Sequence, residues 1–584
     1  MPLEEKIGNP DLFTGRKQEI HFFLKWMSNI QQKSSMSTAI LSRRKTGKTA
    51  LLQRLYNLTF EHNQGIIPFY YEIEEGKQWC VDFCQRFFLK FIFQYIAYKT
   101  RNTTYINKSI EMNHLEHAKE IIQKEAFDYL QDYLRSLESL VNNERIDLLW
   151  SFVRNTPRTI ASQQNEFIVQ MIDEFQFLNS EIYRDKETKN QMNDFAAGYM
   201  STAEYKNAPL LISGSWVGWL MDELSTMLPG RFQTLPLKNL PEDESLEMIH
   251  KYSKLYQITI TEETAFLIAQ IAEGNPFYIS TLIQSNYMNK DLTTKKGLLQ
   301  TLEYETLNTN GMIKKTWKDY FRATIKKINS THAKKIVLYL CKHKHRLVSK
   351  NEIRTQLHLP MTDDQLDNKM EALLRADIIN RGNFGYQYQA VSDNIFEKVF
   401  ISEYASDVDD FTPEQISHAY EEMLSQMQNN YFKLLGKYNQ QKGLFAEYTL
   451  IDQLMYRAWK HTKTFKAMTH NLPKNFQFVQ YDRVWSYKSS PLLSKDFQLD
   501  IFAQTQAGNY SLVGEVKKRD TKKFSLKEAQ SFIKKIHWLI QIEKLDKRWV
   551  QGFVYSVSGF YRNAIQCLEK NGIAWSEHPG WLEP

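Results

Sequence analysis

The residues best equipped for chemistry stand between Ser37 and Leu52. There Ser-Thr-Ala-Ile-Leu leads into Ser-Arg-Arg-Lys-Thr-Gly-Lys-Thr and then Ala-Leu-Leu. A short apolar run, a polar turn and an apolar helical stretch make the strand–loop–helix setting of a phosphate-binding loop. Backbone N–H groups across Lys45, Thr46, Gly47, Lys48, Thr49 and Ala50 would converge on an anion at the positive end of the helix. Lys48 would reach the β- and γ-phosphates of a nucleoside triphosphate, and Thr49 would offer its hydroxyl to Mg2+. Ser42 stands where the motif has its first glycine, and serine takes positive φ less readily. Without a ligand the same stretch would be a lysine-rich surface turn.

A second candidate group follows in chain order. Phe167 to Glu174, Phe-Ile-Val-Gln-Met-Ile-Asp-Glu, reads as a buried parallel strand that ends in two acids. Asp173 would complete the Mg2+ shell, and Glu174 would orient and deprotonate an attacking water. Near the C-terminus, Asp500 lies inside the strand-like run Phe497 to Ala503. Fifteen residues later Glu515 and Lys517 share one face of the run Leu512 to Lys517, because strand side chains alternate. Two carboxylates on neighbouring strands can hold a divalent cation that polarises a phosphodiester, with the lysine stabilising developing charge. The basic cluster Lys517, Lys518, Arg519, Lys522, Lys523 and Lys527 would suit a phosphate backbone, although charge runs are often only solvated faces.

The elements that must position these groups follow from patterning. Ile66 to Ile73 reads as a strand whose Pro68 suits a start or an edge. Roughly 77–160 is a mostly helical insert, and its many aromatic residues are expected to be packing. Pro209 to Ser213 is another strand; Ser213 or Ser215 at its end could sense a γ-phosphate or simply cap it. Pro229-Gly230-Arg231-Phe232 offers Arg231 as a phosphate contact in its own or a neighbour's site, or as a surface turn. Helices over 241–256 and 262–273 end at Gly274-Asn275-Pro276. From His332 to Ala390 the order is helix, helix, helix and two short strands, a winged-helix pattern. Its third helix is acidic (Asp363, Asp364, Asp367, Glu371 and, at its end, Asp377, against only Lys369 and Arg375) and would repel phosphate, which favours an interdomain or regulatory module over DNA reading. The basic run Lys342 to Arg346 is the best alternative for DNA contact. A helix carrying Glu447 opens near Gly443, and Ser525-x-x-Glu528 caps a later one that carries Gln530.

Composition bounds the rest. The 584 residues carry 74 basic and 67 acidic side chains, a net +7 that is mild for this length. The opening residues are polar and acidic, unlike a cleavable leader, and the most apolar run, Phe87 to Tyr98, is too short to cross a bilayer. Four cysteines make no disulfide framework, so a cytoplasmic protein with reduced thiols is the expectation.

Two resemblances organise these readings. Gly15-Arg16 ahead of the loop, the 42–49 loop itself, Asp173-Glu174, Gly230-Arg231 and Gly274-Asn275-Pro276 stand in the order seen in archaeal-type ATPases of the STAND/AAA+ branch, over about residues 10–285. The resemblance implies ATP as ligand, Gly15 and Arg16 near the nucleotide, Pro276 close to adenine, and assembly through the ATPase domain as an open question. Asp500, Glu515 and Lys517 resemble the PD-(D/E)XK nuclease core, with Glu447 as the acid of the first helix and Gln530 as the polar residue after the core. Leu-Asp-Ile replaces the usual Pro-Asp. That likeness implies Mg2+, or Mn2+, held by Glu447, Asp500 and Glu515.

The expected architecture is α/β and multidomain: a P-loop ATPase core (1–238), a helical lid (239–325), a winged-helix module (326–405), a helical linker (406–435) and a restriction-endonuclease-like domain (436–584). The expected function is cleavage of nucleic acid, DNA rather than RNA, under ATPase control, in a setting of prokaryotic defence or mobile elements. The alternative is a non-nucleolytic ATP-dependent switch that binds nucleic acid or a protein. A transcriptional regulator is a third reading, opposed by the acidic helix.

Overall fold

Strand β1 (Thr38–Leu41) is buried along its length, and parallel strands flank it on both sides. With β2 (Ile66–Glu72), β3 (Phe167–Asp173), β4 (Leu210–Gly214) and β5 (Gln233–Pro236) it forms a five-stranded parallel sheet in the order β2-β3-β4-β1-β5. The computed structural model describes residues 1–106, 114–200, 202–214, 231–328, 331–382, 386–404, 413–489, 496–505 and 510–583. β2 is an edge strand, which accommodates Pro68 in its interior because one row of N–H groups has no neighbour to serve. β5 was not expected: three of its four residues are exposed, so it lacks the apolar signature of the other four. The region expected as a helical insert contains helices Cys80–Thr100, His114–Lys124, Tyr129–Asn142 and Ile146–Gln163, preceded by the two-residue strand Gln78–Trp79. Its aromatic residues are core: Phe83, Phe87, Phe88 and Phe91 are buried, and Trp150 stacks on Phe195 at 4.6 Å.

The chain divides into two units, Met1–Gln428 and Asn429–Pro584. In the first, helices Glu242–Tyr256, Glu262–Ile271 and Pro276–Ile283 follow the sheet. Further on come helices Thr331–Lys342, Lys350–Gln356 and Asp363–Arg375, with antiparallel β6 (Val348–Ser349), β7 (Ile379–Arg381) and β8 (Gln387–Ala390) in the order β6-β8-β7. Ser349 caps its helix by accepting from Glu352 N at 3.2 Å, and Thr362 with Gln365 forms a reciprocal capping box. The acids of the third helix are engaged locally: Asp367 pairs with Lys350 at 2.8 Å and Asp363 with Arg354 at 2.6 Å.

In the second unit, β9 (Arg483–Lys488), β10 (Gln498–Gln504), β11 (Ser511–Lys517), β12 (Val550–Ser556) and β13 (Ala574–Ser576) lie in sequence order. The first two pairings are antiparallel and the last two parallel. Helices Leu526–Ile542 and Arg562–Lys570 complete the observed pattern, which adds β9 and β13 to the expected one. The expected linker and the Glu447 helix are not separate. One 44-residue helix, Pro413–Tyr456, runs through Gly436 and Gly443, because an isolated glycine weakens a long helix without ending it. No helix among the described residues is long and apolar enough to cross a membrane.

The junction between sheet and following helices depends on Gly274. Its φ is +70°, and an added Cβ would lie 2.0 Å from the Leu240 carbonyl oxygen, whose own N–H donates to Gly274 O at 2.9 Å. Gly572 has φ +67° but open space around it. Gly274→Ala is therefore expected to destabilise the first unit by about 2 kcal/mol or more, against about 1 kcal/mol for Gly572→Ala in the second. Thermal denaturation of the two variants checks this.

Candidate functional site

The loop after β1 encloses a buried ammonium. Lys48 begins helix Lys48–His62, and its Nζ donates to the carbonyls of Ser42 and Arg43, both at 2.9 Å, and to Ser42 Oγ at 3.2 Å. Positive φ falls at Lys45 (67°) and Gly47 (91°), whereas Ser42 is not left-handed, so serine at the first position carries no backbone strain. Its hydroxyl instead bonds Thr46 Oγ1 across the loop. Burial pushes Lys48 down to about 8, opposed by the carboxylates of Glu174 and Asp173. Beside it, Thr49 Oγ1 donates to Asp173 Oδ2 at 2.6 Å. Asp173 is fully buried at the end of β3, and Ser213 Oγ donates to its other oxygen. Ser213 thus supports the acid and does not line the cavity; Ser215 and Gly230 lie outside the described residues.

A cavity of ≈ 500 Å³ opens over this loop, lined among others by Arg16, Lys45, Thr46, Gly47, Lys48, Thr49, Ala50, Glu174 and Pro276. Glu174 has left-handed backbone (φ 54°), which turns the chain at the strand end. Burial beside Asp173 raises its pKa. Pro276 opens its helix behind Asn275, whose side chain caps Phe277 N at 2.9 Å, and the ring faces Gly47. Arg16 ties three segments together. Its Nη2 donates to Thr46 O at 2.7 Å, its Nη1 to Lys238 O at 2.5 Å, and its backbone N to Glu244 Oε2 at 2.7 Å.

Three expected ligands, Ser42, Gly15 and Arg231, do not line the cavity. Ser42 is buried in the loop, where its hydroxyl accepts from Lys48. Gly15 packs against Glu244, and an added Cβ would come within 2.5 Å of Oε2, so close packing accounts for the glycine. Arg231 pairs with Glu204 at 2.5 Å. It precedes Gln233, which pairs with Thr38 at the start of β1, whereas the loop follows the end of β1. Arg231 therefore stands at the opposite end of the sheet and is no phosphate ligand of its own loop.

Patterning did not single out Arg43. Its guanidinium leaves the loop and donates to Asp377 Oδ2 at 2.9 Å and to the Asp377 carbonyl at 3.3 Å, and lies 3.4 Å from Asp393 Oδ2. It also lies over the Phe396 ring at 4.7 Å. Tyr278 donates to the same Asp393 oxygen at 2.9 Å, and Trp317 Nε1 donates to Tyr278 at 3.0 Å. Burial opposes the charge on Arg43, but Asp377 and Asp393 outweigh it and raise the pKa. A run of two arginines within a phosphate loop was the available signal; the acid partners of Arg43 lie more than 300 residues away in sequence, whereas Arg44 lies 3.9 Å from Glu75.

The second unit gathers a separate group. Ile501 opposite Gly514 sets Asp500 beside Glu515 on one face. Lys517 Nζ lies 3.4 Å from Asp500 Oδ2 and 2.8 Å from Glu515 Oε1, and Val516 N donates to Asp500 Oδ2 at 2.7 Å. Lys535, missed in the sequence, pairs with Glu515 Oε2 at 3.0 Å. The available signal was its place three residues after buried Phe532 and four before buried Leu539, a lysine on the apolar stripe. Gln530 is exposed and points to no such contact, because it lies off that stripe. Glu447 lines a neighbouring cavity of ≈ 680 Å³ with Lys517, Lys518, Arg519 and Lys522. Burial, together with Asp500, lifts Glu447 to about 7. Among the described residues no three acids, histidines or cysteines converge as the ligands of one cation, so Glu447, Asp500 and Glu515 do not form the expected set. The Asp500–Glu515 pair, bridged by an ammonium, does offer the oxygen donors of a hard cation that keeps most of its own water.

Sheet order, loop and strand-end acids together define the first unit as a P-loop NTPase fold, α/β with a parallel sheet. No protein-family profile matches the chain, and no curated protein does so by sequence. Solved structures similar in fold include the Walker-type ATPase PABY2304 of Pyrococcus abyssi, at 16% identity and TM-score 0.43, covering 68% of this chain and 98% of that one. The ORC2 protein of Aeropyrum pernix follows at 11% and 0.37, covering 68% and 95%. The RuvB branch-migration motor of Thermotoga maritima stands at 14% and 0.31, covering 70% and 100%.

Two outcomes are expected. Phosphates beside Lys48 should restore its proton, so nucleotide binding near pH 8 takes up protons and binding at pH 6 does not; calorimetry in buffers of different ionisation enthalpy measures this. Arg43→Ala should leave Asp377 and Asp393 without their cation and raise amide exchange across 376–382 and 386–396 by tenfold or more, the order of about 1.4 kcal/mol, while β1 stays protected.

Proposed function

We propose that the chain binds and hydrolyses ATP in its first unit and cleaves DNA phosphodiesters in its second, with the nucleotide state controlling cleavage. The observation that carries the ATPase reading is that Thr49, on the wall of a cavity that also presents Lys48 and Glu174, is held from behind by the buried Asp173. Thr49 and Asp173 would hold Mg2+, which would neutralise charge on the transferring phosphoryl group. Lys48, freed from the Ser42 and Arg43 carbonyls, would turn to the phosphates. Glu174, with its raised pKa, is suited to accept a proton from water at the cavity wall. Proteins of similar fold have been solved as ADPNP and ADP complexes and, for Aeropyrum pernix ORC1, with DNA.

Cleavage is supported by Asp500, Glu515 and Lys517 on one face beside a basic cavity. The acid pair would hold Mg2+ or Mn2+, which when bound supplies an activated water and polarises the phosphate. Lys517 and Lys535 would steady the charge that develops there. A second reading is favoured by one observation: both carboxylates are already paired with lysines. Under it the second unit binds nucleic acid without cutting, as the output of an ATP-dependent switch.

The test is incubation with plasmid DNA and Mg2+ or Mn2+, with and without ATP, beside Glu515→Gln and Lys48→Ala. Glu515→Gln should lose cleavage by about 10²-fold or more with ATP turnover intact. Lys48→Ala should lose turnover and change cleavage. Intact turnover without cleavage of any nucleic acid would leave the switch.

A further inference from the structure

Hydrolysis of a nucleoside triphosphate builds negative charge on the transferring group and on the oxygen that leaves. An arginine aimed at that charge is worth about 10³–10⁵ in rate. Most cations near the cavity of the first unit are committed elsewhere. Arg231 stands at the opposite end of the sheet. Arg16 donates to the carbonyls of Thr46 and Lys238, and Arg43 leaves the loop for Asp377 and Asp393. Lys6, on the cavity wall, is paired with Glu72 at 2.5 Å.

Arg44 differs from these. It lines the same cavity as Lys48, Thr49 and Glu174. Its Nε is buried and has no hydrogen-bond partner among the described residues. Glu75 stands 3.9 Å from its Nη1, beyond hydrogen-bond distance, and the Glu75 side chain is 58% exposed, so the pair contributes little. The guanidinium lies over the Tyr320 ring at 4.8 Å, a contact that holds its plane without using its N–H groups. The Tyr320 hydroxyl in turn donates to the Ala376 carbonyl, which fixes the ring. The charge on Arg44 also acts on two other groups of the cavity: it helps push Lys48 down, and it helps hold Glu174 down against burial. Arg44 thus lies near both the ammonium suited to phosphates and the carboxylate suited to a water proton. Lys45, by contrast, carries its ammonium over the Phe277 ring at 5.2 Å, on the helix that Pro276 opens.

We infer that Arg44 is a catalytic residue of ATP hydrolysis, an arginine that the phosphate-binding loop itself supplies to the transferring phosphoryl group. The oxygen of a water bonds to the γ-phosphorus while the bond from that phosphorus to the β,γ-bridging oxygen breaks. The electron pair of the broken bond stays with ADP, and the water proton passes to Glu174 and then to solvent. The guanidinium, a planar fork of N–H donors, meets the charge on the γ-oxygens and the bridging oxygen. This role rests on the ATPase reading above.

The experiment is steady-state ATP turnover by the full chain with Mg2+, beside the affinities for ADP alone and for ADP with aluminium fluoride, which mimics the transferring group. Arg44→Ala should lower kcat by about 10²-fold or more and weaken the aluminium fluoride complex in parallel. Affinity for ADP should stay within about threefold, because the lost contact is made to the transferring group. Arg44→Lys should recover only part of the rate, since a point charge lacks the planar fork. Unchanged kcat in Arg44→Ala overturns the inference. So does a loss of ADP affinity as large as the loss in the aluminium fluoride complex, which would make Arg44 a binding or structural residue. A wild-type chain that turns over no ATP refutes the ATPase reading and takes the inference with it, whereas turnover indifferent to Arg44 refutes the inference alone.

Discussion

A buried positive charge without a carboxylate in direct contact is the constraint on which the first unit is built. The Lys48 ammonium is solvated by two loop carbonyls and one hydroxyl, and that arrangement requires the chain to fold back tightly between β1 and the following helix. The return is made by left-handed backbone at Lys45 and Gly47. Arg16 fastens the loop from outside through the Thr46 carbonyl, and Asp173 fastens it from beneath through Thr49. Dipoles that now stabilise an ammonium would be exchanged for phosphate oxygens at little reorganisation, because the cage is already in place.

The same loop is held at a third point. Arg43 carries its charge to Asp377 and Asp393, on the turns that flank the small β6-β8-β7 sheet, and Tyr278 brings the helix begun by Pro276 into the same network. A ligand that moves either the loop or Pro276 therefore acts on one shared, partly buried set of charges.

In the second unit the balance of charge is reversed. Three carboxylates are drawn toward low-dielectric surroundings, and Asp500 and Glu447 both have raised pKa values through burial and mutual repulsion. Lys517 and Lys535 offset this at Asp500 and Glu515, the two acids they contact. Glu447, which lines the cavity, has no such ion pair among the described residues. The chemistry open to the site is set by that asymmetry.

Local signals along the chain were sufficient for the β-αβ rhythm of the first unit, the strand-end acids and the capped helices, because apolar periodicity, capping residues and glycines act over a few residues. The alternation that places Glu515 and Lys517 on one face is likewise local. Tertiary structure decided what depends on distance in sequence. It added the exposed edge strand β5, joined the linker to the Glu447 helix, and sent Arg231 to the far end of the sheet. It also put Lys535 against Glu515 while leaving Gln530 exposed, and Arg43 against two acids more than 300 residues away. Spacing along the chain carries which residues can share a strand or a helix face. Which charges meet depends on how those faces pack, and that is settled only when the burial of each unpaired charge has to be compensated by a partner from another element.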